Sequence, residues 1–286
     1  LSSWNEWSYF LFLSRMKLCF FLLITAVVLS CHKPSTSLIS MEAKGDRLTS
    51  VPIRKAVISD KDLSHLTNYF DQLLKRRRFN GSILIAKNNE VIYDTTMGYA
   101  NIRRRIALSD TSAIQLASIS KPITAAVILS LIEEGKIHLD DSVRTHLPRL
   151  PEDYDNITIK MLLSHQSGLT QYYYYCDHVL ENKDCVVSND SLIEIINCHN
   201  PGFGGRPGRK FNYCNTNFAL LASVAQRAES KSFHQIVKER IIEPSGMKHS
   251  FLLDLAQDTL PAHLVYGNNE WNKVMEFDYL DGIVGD

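Results

Sequence analysis

The spacing of apolar residues predicts a helix and then a hairpin at the start of the folded region. Apolar residues recur at helical intervals over 60–77, which is the pattern of an amphipathic helix. Two β-rich runs, 82–87 and 91–99, are separated by Asn88 and Asn89. Because asparagine tolerates positive φ angles, this pair predicts the turn of a β-hairpin.

After the hairpin the pattern becomes mainly helical. The run 122–134 is apolar on nearly every side and ends before Gly135, which predicts a buried helix with a glycine after its C-terminus. Further helices are predicted at 191–196, 218–228 and 234–242. This order predicts an α/β fold of the mixed α+β kind, an antiparallel sheet flanked by helices with a helical subdomain, rather than regular βαβ alternation.

The N-terminal segment has the pattern of a secretion signal. A basic residue precedes the apolar stretch 18–29, and Cys31 follows a small serine. The stretch is short for a membrane span, so a signal peptide over 16–31 is the favoured interpretation. The alternative is an N-terminal anchor helix that extends backwards through 9–13, although two basic residues interrupt it.

The sequence VLSC at 28–31 resembles a bacterial lipobox, with leucine where a small residue is usual. The resemblance implies that Cys31 becomes the lipidated first residue of an exported protein, anchored to the membrane of a bacterial cell envelope on the periplasmic side or the cell surface. Residues 1–15 are interpreted as upstream translation and 32–58 as a polar linker. The folded domain is then 59–286.

The charge balance argues against a nucleic-acid partner. The 286 residues carry 31 basic and 31 acidic side chains, so the formal net charge is zero. Such a chain lacks the basic excess that attracts nucleic acid.

Ser118 and Lys121, within ASISKPIT at 117–124, are the candidate nucleophile and base. Pro122 is tolerated only in the first turn of a helix, so the helix should begin near Ser118. Residues three apart lie on one helix face, which places the two side chains together and leaves Ser120 pointing elsewhere. A serine needs such a base to become a strong nucleophile, and an amine serves only where burial disfavours its charged form.

A second motif separates this interpretation from a chance N-cap serine followed by a surface lysine. Tyr213 and Asn215 lie in PGRKFNYCNTNF at 207–218. The stretch resembles the serine β-lactamase and penicillin-binding-protein superfamily, closest to its class C and D-alanyl-D-alanine carboxypeptidase-like branch, with Cys214 where serine is usual. The family's LLSHTSGL is similar to LLSHQSGL at 162–169.

The resemblance implies a β-lactamase/transpeptidase-like fold and a catalytic mechanism. Ser118 would attack a carbonyl and form an acyl-enzyme, while Lys121 and Tyr213 share the transfer of its proton to the leaving group. Asn215 would orient the amide or carboxylate side of the substrate, and the Ser118 N–H would form half of an oxyanion hole. No metal and no cofactor is expected, because this chemistry needs none.

The family also has a third motif, Lys-Thr-Gly or His-x-Gly, on a later strand. No such motif follows Asn215, and LDGIVGD at 280–286 resembles the loop before the family's next helical segment. The chain is therefore expected to be C-terminally truncated, with its C-terminal strands missing and its own activity in doubt.

Several other residues suggest weaker alternatives. His165 is expected to shape a turn rather than to act as a triad base. The glycine-rich stretch 202–208 lacks the strand-to-helix frame of a phosphate loop. The four tyrosines at 172–175 are interpreted as loop packing, with a substrate or sugar contact as the alternative.

Four cysteines after Cys31 are available for disulfides, and they allow three ways of pairing. An oxidising periplasm favours disulfides, and the pair Cys176 and Cys185 closes the shortest loop, so this bond is the expectation. Spacing alone cannot choose among the possible pairings.

The sequence thus predicts a lipid-anchored serine hydrolase acting on amides or esters. A β-lactam, a D-amino-acid or peptidoglycan peptide, or a small ester are the candidate substrates. The alternative is a non-catalytic cell-wall binding or sensing protein that keeps the same fold.

The predicted lipid anchor is tested by Cys31→Ser. Because the lipobox resemblance places the acceptor thiol at this position, the variant should lose all lipid attachment in metabolic palmitate labelling. Labelling that persists in the variant would contradict the assignment.

Overall fold

A computed structural model of the protein describes residues 54–55, 58–76, 79–180, 186–253, 263–265 and 284–285. These residues belong to one unit, Ser50–Asp286. Cys31 and Cys185 lie outside the described residues. Within the described ranges, no helix is both long enough and apolar enough to cross a membrane.

The predicted hairpin is the centre of a small sheet. Strands β2 (Gly81–Lys87) and β3 (Glu90–Met97) pair antiparallel, and Asn88 and Asn89 form the turn with φ angles of 52° and 62°. Strand β1 (Arg54–Lys55) pairs with the other edge of β3, but it runs parallel. The sheet order is β1-β3-β2, so the predicted antiparallel hairpin forms the sheet and the two-residue β1 adds a parallel edge to it.

The first helix covers this sheet. Helix α1 (Asp60–Lys75) begins where the Ser59 hydroxyl accepts the N–H of Asp62. Phe70 of this helix stacks on Tyr93 of β3, with ring centroids 5.6 Å apart. A separate two-stranded sheet follows, formed by β4 (Tyr99–Asn101) and β5 (Ile106–Ala107).

The rest of the described chain is mainly helical. Several helices begin at a serine or threonine whose hydroxyl accepts a backbone N–H of the first turn, which satisfies one of the donors that a helix leaves unpaired. The helices are α2 (Ser120–Glu133), α3 (Val143–His146), α4 (Ile159–Leu163), α5 (Tyr172–Val179), α6 (Asn189–His199), α7 (Asn215–Glu229) and α8 (Phe233–Val237).

Helix α7 is the centre of the core. Its residues from Thr216 to Ala225 are all buried, and it packs against α2, α4, α6 and α8. Helix α2 also ends as predicted, with Gly135 at a φ of 71°. The expected burial of α2 on every side was wrong, because Val127 and Leu131 are fully buried whereas Leu129 is 53% exposed.

An ionic cluster joins the C-terminal ends of α2 and α7. The helix predicted over 234–242 consists of two parts, α8 and a π-helical turn, Lys238–Ile242, that follows it directly. From this turn Arg240 donates to Glu134 at 2.5 and 3.0 Å and forms an ion pair with Glu229 at 3.0 Å. Hydrogen bonds from Arg240, and then from a lysine, lower the pKa of Glu134 to about 2.

A buried asparagine fastens the segment 284–285 to the helices. Asn189 Nδ2 donates to the carbonyls of Ala219 and Val284 at 2.8 and 3.0 Å, and its Oδ1 accepts the N–H of Val284 at 2.8 Å. Thr124 of α2 donates its hydroxyl to the carbonyl of Gly285 at 2.7 Å. One amide side chain thus satisfies backbone groups from two parts of the chain.

We expect Asn189→Ala to lower the free energy of unfolding by about 2 kcal/mol, because buried backbone groups would lose their partner. Urea unfolding followed by circular dichroism measures the change. The control is Asp190→Ala on the same helix, since Asp190 forms an exposed ion pair with Arg227 that contributes less than about 1 kcal/mol. Equal losses in the two variants would contradict the role of Asn189.

Candidate active site

Ser118 lies on a short turn that leads into α2. The residues Ala117–Ile119 form a 3₁₀ turn, and the α-helix follows from Ser120 with Pro122 in its first turn, as the sequence predicts. Ala117 has a φ of 46°, a left-handed conformation that is unfavourable for a residue with a Cβ. The strained backbone therefore directly precedes the candidate nucleophile.

Three of the predicted site residues meet at one oxygen atom. Lys121 Nζ donates to Ser118 Oγ at 3.0 Å, and the Tyr213 hydroxyl donates to the same oxygen at 2.6 Å. Lys121 and Ser118 are three residues apart, whereas Tyr213 comes from the segment before α7. The nucleophile thus has two groups within proton-transfer distance, one local and one distant in sequence.

Lys121 is buried between aromatic rings. Only 5% of its surface is exposed, and its Nζ lies 5.0 Å from the ring centroid of Tyr213 and 5.7 Å from that of Phe218. An ammonium ion is costly to bury without a carboxylate partner. The two ring faces offset part of that cost through cation–π attraction.

Asn215 is the first residue of α7 and faces the same site. With Ser118 it lines a cavity of about 550 Å³, much of whose wall is apolar. Its backbone N–H donates to Gln171 Oε1 at 2.8 Å. Its side-chain Oδ1 is buried and has no hydrogen-bond partner among the described residues, so this oxygen could accept a donor from a bound molecule only after the side chain rotates toward the cavity.

His165 lies against Tyr213, but its hydrogen bonds make it a support rather than a base. Its Nδ1 accepts the N–H of Cys214 at 3.1 Å and the side-chain amide of Asn217 at 3.2 Å. Two donors at Nδ1 place the proton of the neutral ring on Nε2. The ring packs on that of Tyr213, with centroids 4.5 Å apart, and so agrees with the structural role expected from sequence.

Burial lowers the pKa of His165 from its ordinary value of 6.5, and the nearby charge of Lys121 lowers it further. The hydrogen bond from the Cys214 N–H also requires a neutral imidazole, because Nδ1 can accept only while it carries no proton. Protonation of His165 would therefore break the contact that joins it to the segment before α7.

Several side chains that connect the loop 165–171 to the start of α7 were missed by sequence reasoning. Ser167 donates to Asn217 Oδ1 at 2.5 Å, and Thr216 donates to the carbonyl of Thr170 at 2.7 Å. Gln171 contacts the backbone on both sides of Cys214. The only signal in the sequence was position: Ser167 lies inside the LLSHQSGL stretch, Gln171 follows it closely, and Thr216 comes directly after the Y-x-N motif.

The glycine-rich stretch has a packing role. Gly168 has a φ of 73°, and a Cβ there would lie 2.3 Å from the carbonyl oxygen of Gly205. The N–H groups of Gly204 and Gly205 both donate to the Gly168 carbonyl. The glycines at 202–205 thus allow two turns to pack backbone against backbone beside His165.

The four consecutive tyrosines form a helix, α5, and not the expected loop. Tyr172 and Tyr175 point into the core and are each 7% exposed, since residues three apart share one helix face. Tyr174 on the opposite face is 60% exposed and packs edge-on against Tyr173. Burial of Tyr172 and Tyr175 in the apolar core stabilises a helix at this segment rather than a loop.

The predicted disulfide between Cys176 and Cys185 stays a prediction. Cys176 is buried, and its expected partner Cys185 lies outside the described residues. Cys214 is also buried, with only 1% of its surface exposed, and burial raises the pKa of its thiol.

Comparison with known proteins defines the class that this fold and site represent. A family model described as Beta-lactamase matches residues 66–283. The chain therefore belongs to the beta-lactamase family of serine hydrolases.

Individual relatives agree with this assignment. Over 238 residues the chain is 31% identical to penicillin-binding protein 4* of Bacillus subtilis (strain 168), a match that covers 78% of this chain and 51% of that protein. The chain thus spans about half the length of this curated relative. FmtA from Staphylococcus aureus has a similar structure, with a TM-score of 0.65, 25% identity, and coverage of 81% of this chain and 63% of that one.

A more distant neighbour shares the fold. A class C beta-lactamase has a TM-score of 0.62 at 18% identity, with 81% of this chain and 63% of that chain covered. The predicted fold class is thereby confirmed.

The lowered pKa of His165 predicts a loss of stability in mild acid. The unfolded chain binds a proton at this residue as the pH falls through 6.5, whereas the folded state resists protonation. Stability is therefore present above 6.5 and declines as the pH falls toward the lower pKa of the folded state. Melting temperatures between about pH 8 and about pH 5 should fall less in His165→Gln, which keeps an acceptor but cannot titrate.

The control is His65→Gln, because His65 is exposed on α1. This variant should keep the pH dependence of the wild-type protein. An unchanged acid response in His165→Gln would show that the imidazole is not responsible.

Proposed function

We propose that the protein is a serine hydrolase that forms an acyl-enzyme at Ser118 with an amide or ester substrate. The observation that carries the proposal is the convergence of Lys121 Nζ and the Tyr213 hydroxyl on Ser118 Oγ, at 3.0 and 2.6 Å. Membership of the beta-lactamase family supports the same chemistry.

In the acylation step, Ser118 Oγ bonds to the substrate carbonyl carbon and its proton passes to the Lys121–Tyr213 pair, which accepts it in the state where the pair holds a free amine or a phenolate. The same pair then delivers a proton to the leaving nitrogen or oxygen as its bond to carbon breaks. Positioned acid–base groups of this kind contribute about 10²- to 10⁴-fold in rate. Water releases the acyl group by the reverse sequence, with the pair first taking a proton from water and then returning one to Ser118 Oγ.

Substrate orientation would depend on Asn215 and on the backbone of Ser118. A rotation of the Asn215 side chain toward the cavity would let its buried, unpartnered Oδ1 accept an N–H of a peptide or of a β-lactam side chain. The Ser118 N–H, at the start of a helical segment, is a donor for the developing oxyanion. The substrate class is thus a β-lactam, a D-amino-acid or peptidoglycan peptide, or a small ester.

The proposed location follows from the sequence. A lipid at Cys31 would hold the protein at the bacterial cell envelope, where peptidoglycan peptides and β-lactams occur. This part of the proposal depends on the lipobox resemblance.

Covalent labelling tests the nucleophile. A fluorescent penicillin or a fluorophosphonate should label the purified protein, and peptide mass spectrometry should locate the adduct at Ser118. Ser118→Ala should remove the label, whereas Ser120→Ala should keep it, because Ser120 has the same hydroxyl two residues away. Loss of the label only in Ser120→Ala would contradict the assignment.

The acid–base role is tested in the same assay. Tyr213→Phe should slow labelling by about 10²-fold or more, because it removes one proton-transfer group. Tyr174→Phe makes the same chemical change on an exposed ring and should label at the wild-type rate. Equal rates for the two variants would exclude Tyr213 from the mechanism.

A further inference from the structure

The side-chain amide of Gln171 bridges the backbone of Tyr213 and Asn215. Gln171 precedes α5, and its Nε2 donates to the carbonyl oxygen of Tyr213 at 3.1 Å. Its Oε1 accepts the N–H of Asn215 at 2.8 Å. A primary amide has one donor group and one acceptor group, and each one here meets the complementary backbone group.

These bonds hold a segment that its own helix leaves free. Asn215 is the first residue of α7, so its N–H has no acceptor within the helix. Tyr213 precedes the helix and makes no helical bond. Without Gln171, the carbonyl of Tyr213 and the N–H of Asn215 would depend on water, and the direction of the chain entering α7 would be less well defined.

The peptide unit between Tyr213 and Cys214 is held from both sides. Its carbonyl accepts from Gln171, and its N–H donates to His165 Nδ1 at 3.1 Å. Because a peptide is planar, bonds at both ends fix its rotation. The direction of the Tyr213 side chain follows from that rotation, and its hydroxyl lies 2.6 Å from Ser118 Oγ.

We propose that Gln171 is a positioning residue for acylation, which holds the Tyr213 hydroxyl at Ser118 through the backbone of 213–215. The proposal rests on the proposed serine hydrolase function. Gln171 itself acts only through Tyr213 and Asn215. Misplacement of a reacting group by about 1 Å reduces rates by as much as about 10²-fold, so a clamp on these three backbone residues can set the rate of the reaction.

Three variants test the clamp. Gln171→Ala removes both bonds. Gln171→Glu keeps the acceptor, but above its protonation range it places a carboxylate oxygen against the carbonyl of Tyr213. Gln166→Glu is the matched control, because it makes the same charge change in the same loop, and among the described residues its side-chain amide bonds to the Ser164 hydroxyl and not to the backbone of 213–215.

The first measurement does not require activity. Hydrogen exchange at the Asn215 amide, followed by mass spectrometry of 207–218, should be faster in Gln171→Ala than in the wild type and unchanged in Gln166→Glu. Wild-type exchange at this amide in Gln171→Ala would overturn the proposal whatever the enzyme does.

The second measurement is the rate of Ser118 labelling by the penicillin or fluorophosphonate probe. At about pH 8 both Gln171 variants should label about 10- to 100-fold more slowly than the wild type, and Gln166→Glu within about 2-fold. As the pH falls, the ratio of the Gln171→Glu rate to the wild-type rate should rise, because a protonated carboxyl regains a donor for the Tyr213 carbonyl. A purely structural lesion would give no such recovery.

The outcomes separate this proposal from the proposed function. If wild-type protein is not labelled while exchange at Asn215 still responds to Gln171→Ala, the hydrolase assignment fails and Gln171 is only a structural clamp. If Gln171→Ala does not fold, the pH response of Gln171→Glu decides. Near-wild-type labelling of Gln171→Glu at about pH 8, or a ratio independent of pH, would overturn the positioning role.

Discussion

The contact between the loop 165–171 and the start of α7 is the constraint on which the site depends. Ser118 and Lys121 face each other by helical geometry alone, but Tyr213 reaches them only because its following peptide unit is bonded to His165 and Gln171. The same loop carries Ser167, which donates to Asn217 in the first turn of the helix. The most buried of the described helices therefore also determines where the phenol group lies.

Local rules explain what could be predicted from sequence. The Ser118–Lys121 contact follows from residues three apart on a helix, and the hairpin turn follows from two asparagines that accept positive φ angles. Long-range contacts were beyond such rules. The bonds of Gln171 form only when α5 and α7 are packed, and the exposed side of α2 at Leu129 depends on which elements cover it. The prediction of a loop at the four tyrosines was wrong for a similar reason, because the packing of Tyr172 and Tyr175 into the core stabilises a helix there.

Hydrogen-bond partners also distinguish His165 from Lys121 and Tyr213 as the base for Ser118, a distinction that residue type alone does not make. An imidazole beside a serine is a familiar base, yet His165 Nδ1 is occupied by the N–H of Cys214 and the amide of Asn217. Lys121 and Tyr213 both point at the serine oxygen instead. The family resemblance and the geometry thus agree on which groups can exchange a proton with Ser118.

The cysteine at the centre of the Y-x-N motif has a consequence for chemoselectivity. A thiolate is a stronger nucleophile than a serine hydroxyl, so a thiolate exposed in this cleft would ordinarily attack an electrophile before the serine does. The Cys214 side chain is only 1% exposed, and burial raises its thiol pKa, which keeps the sulfur neutral and out of reach. A reactive carbonyl that enters the cleft therefore encounters Ser118 Oγ as the available nucleophile, whereas the Cys214 thiol stays unreactive in the core.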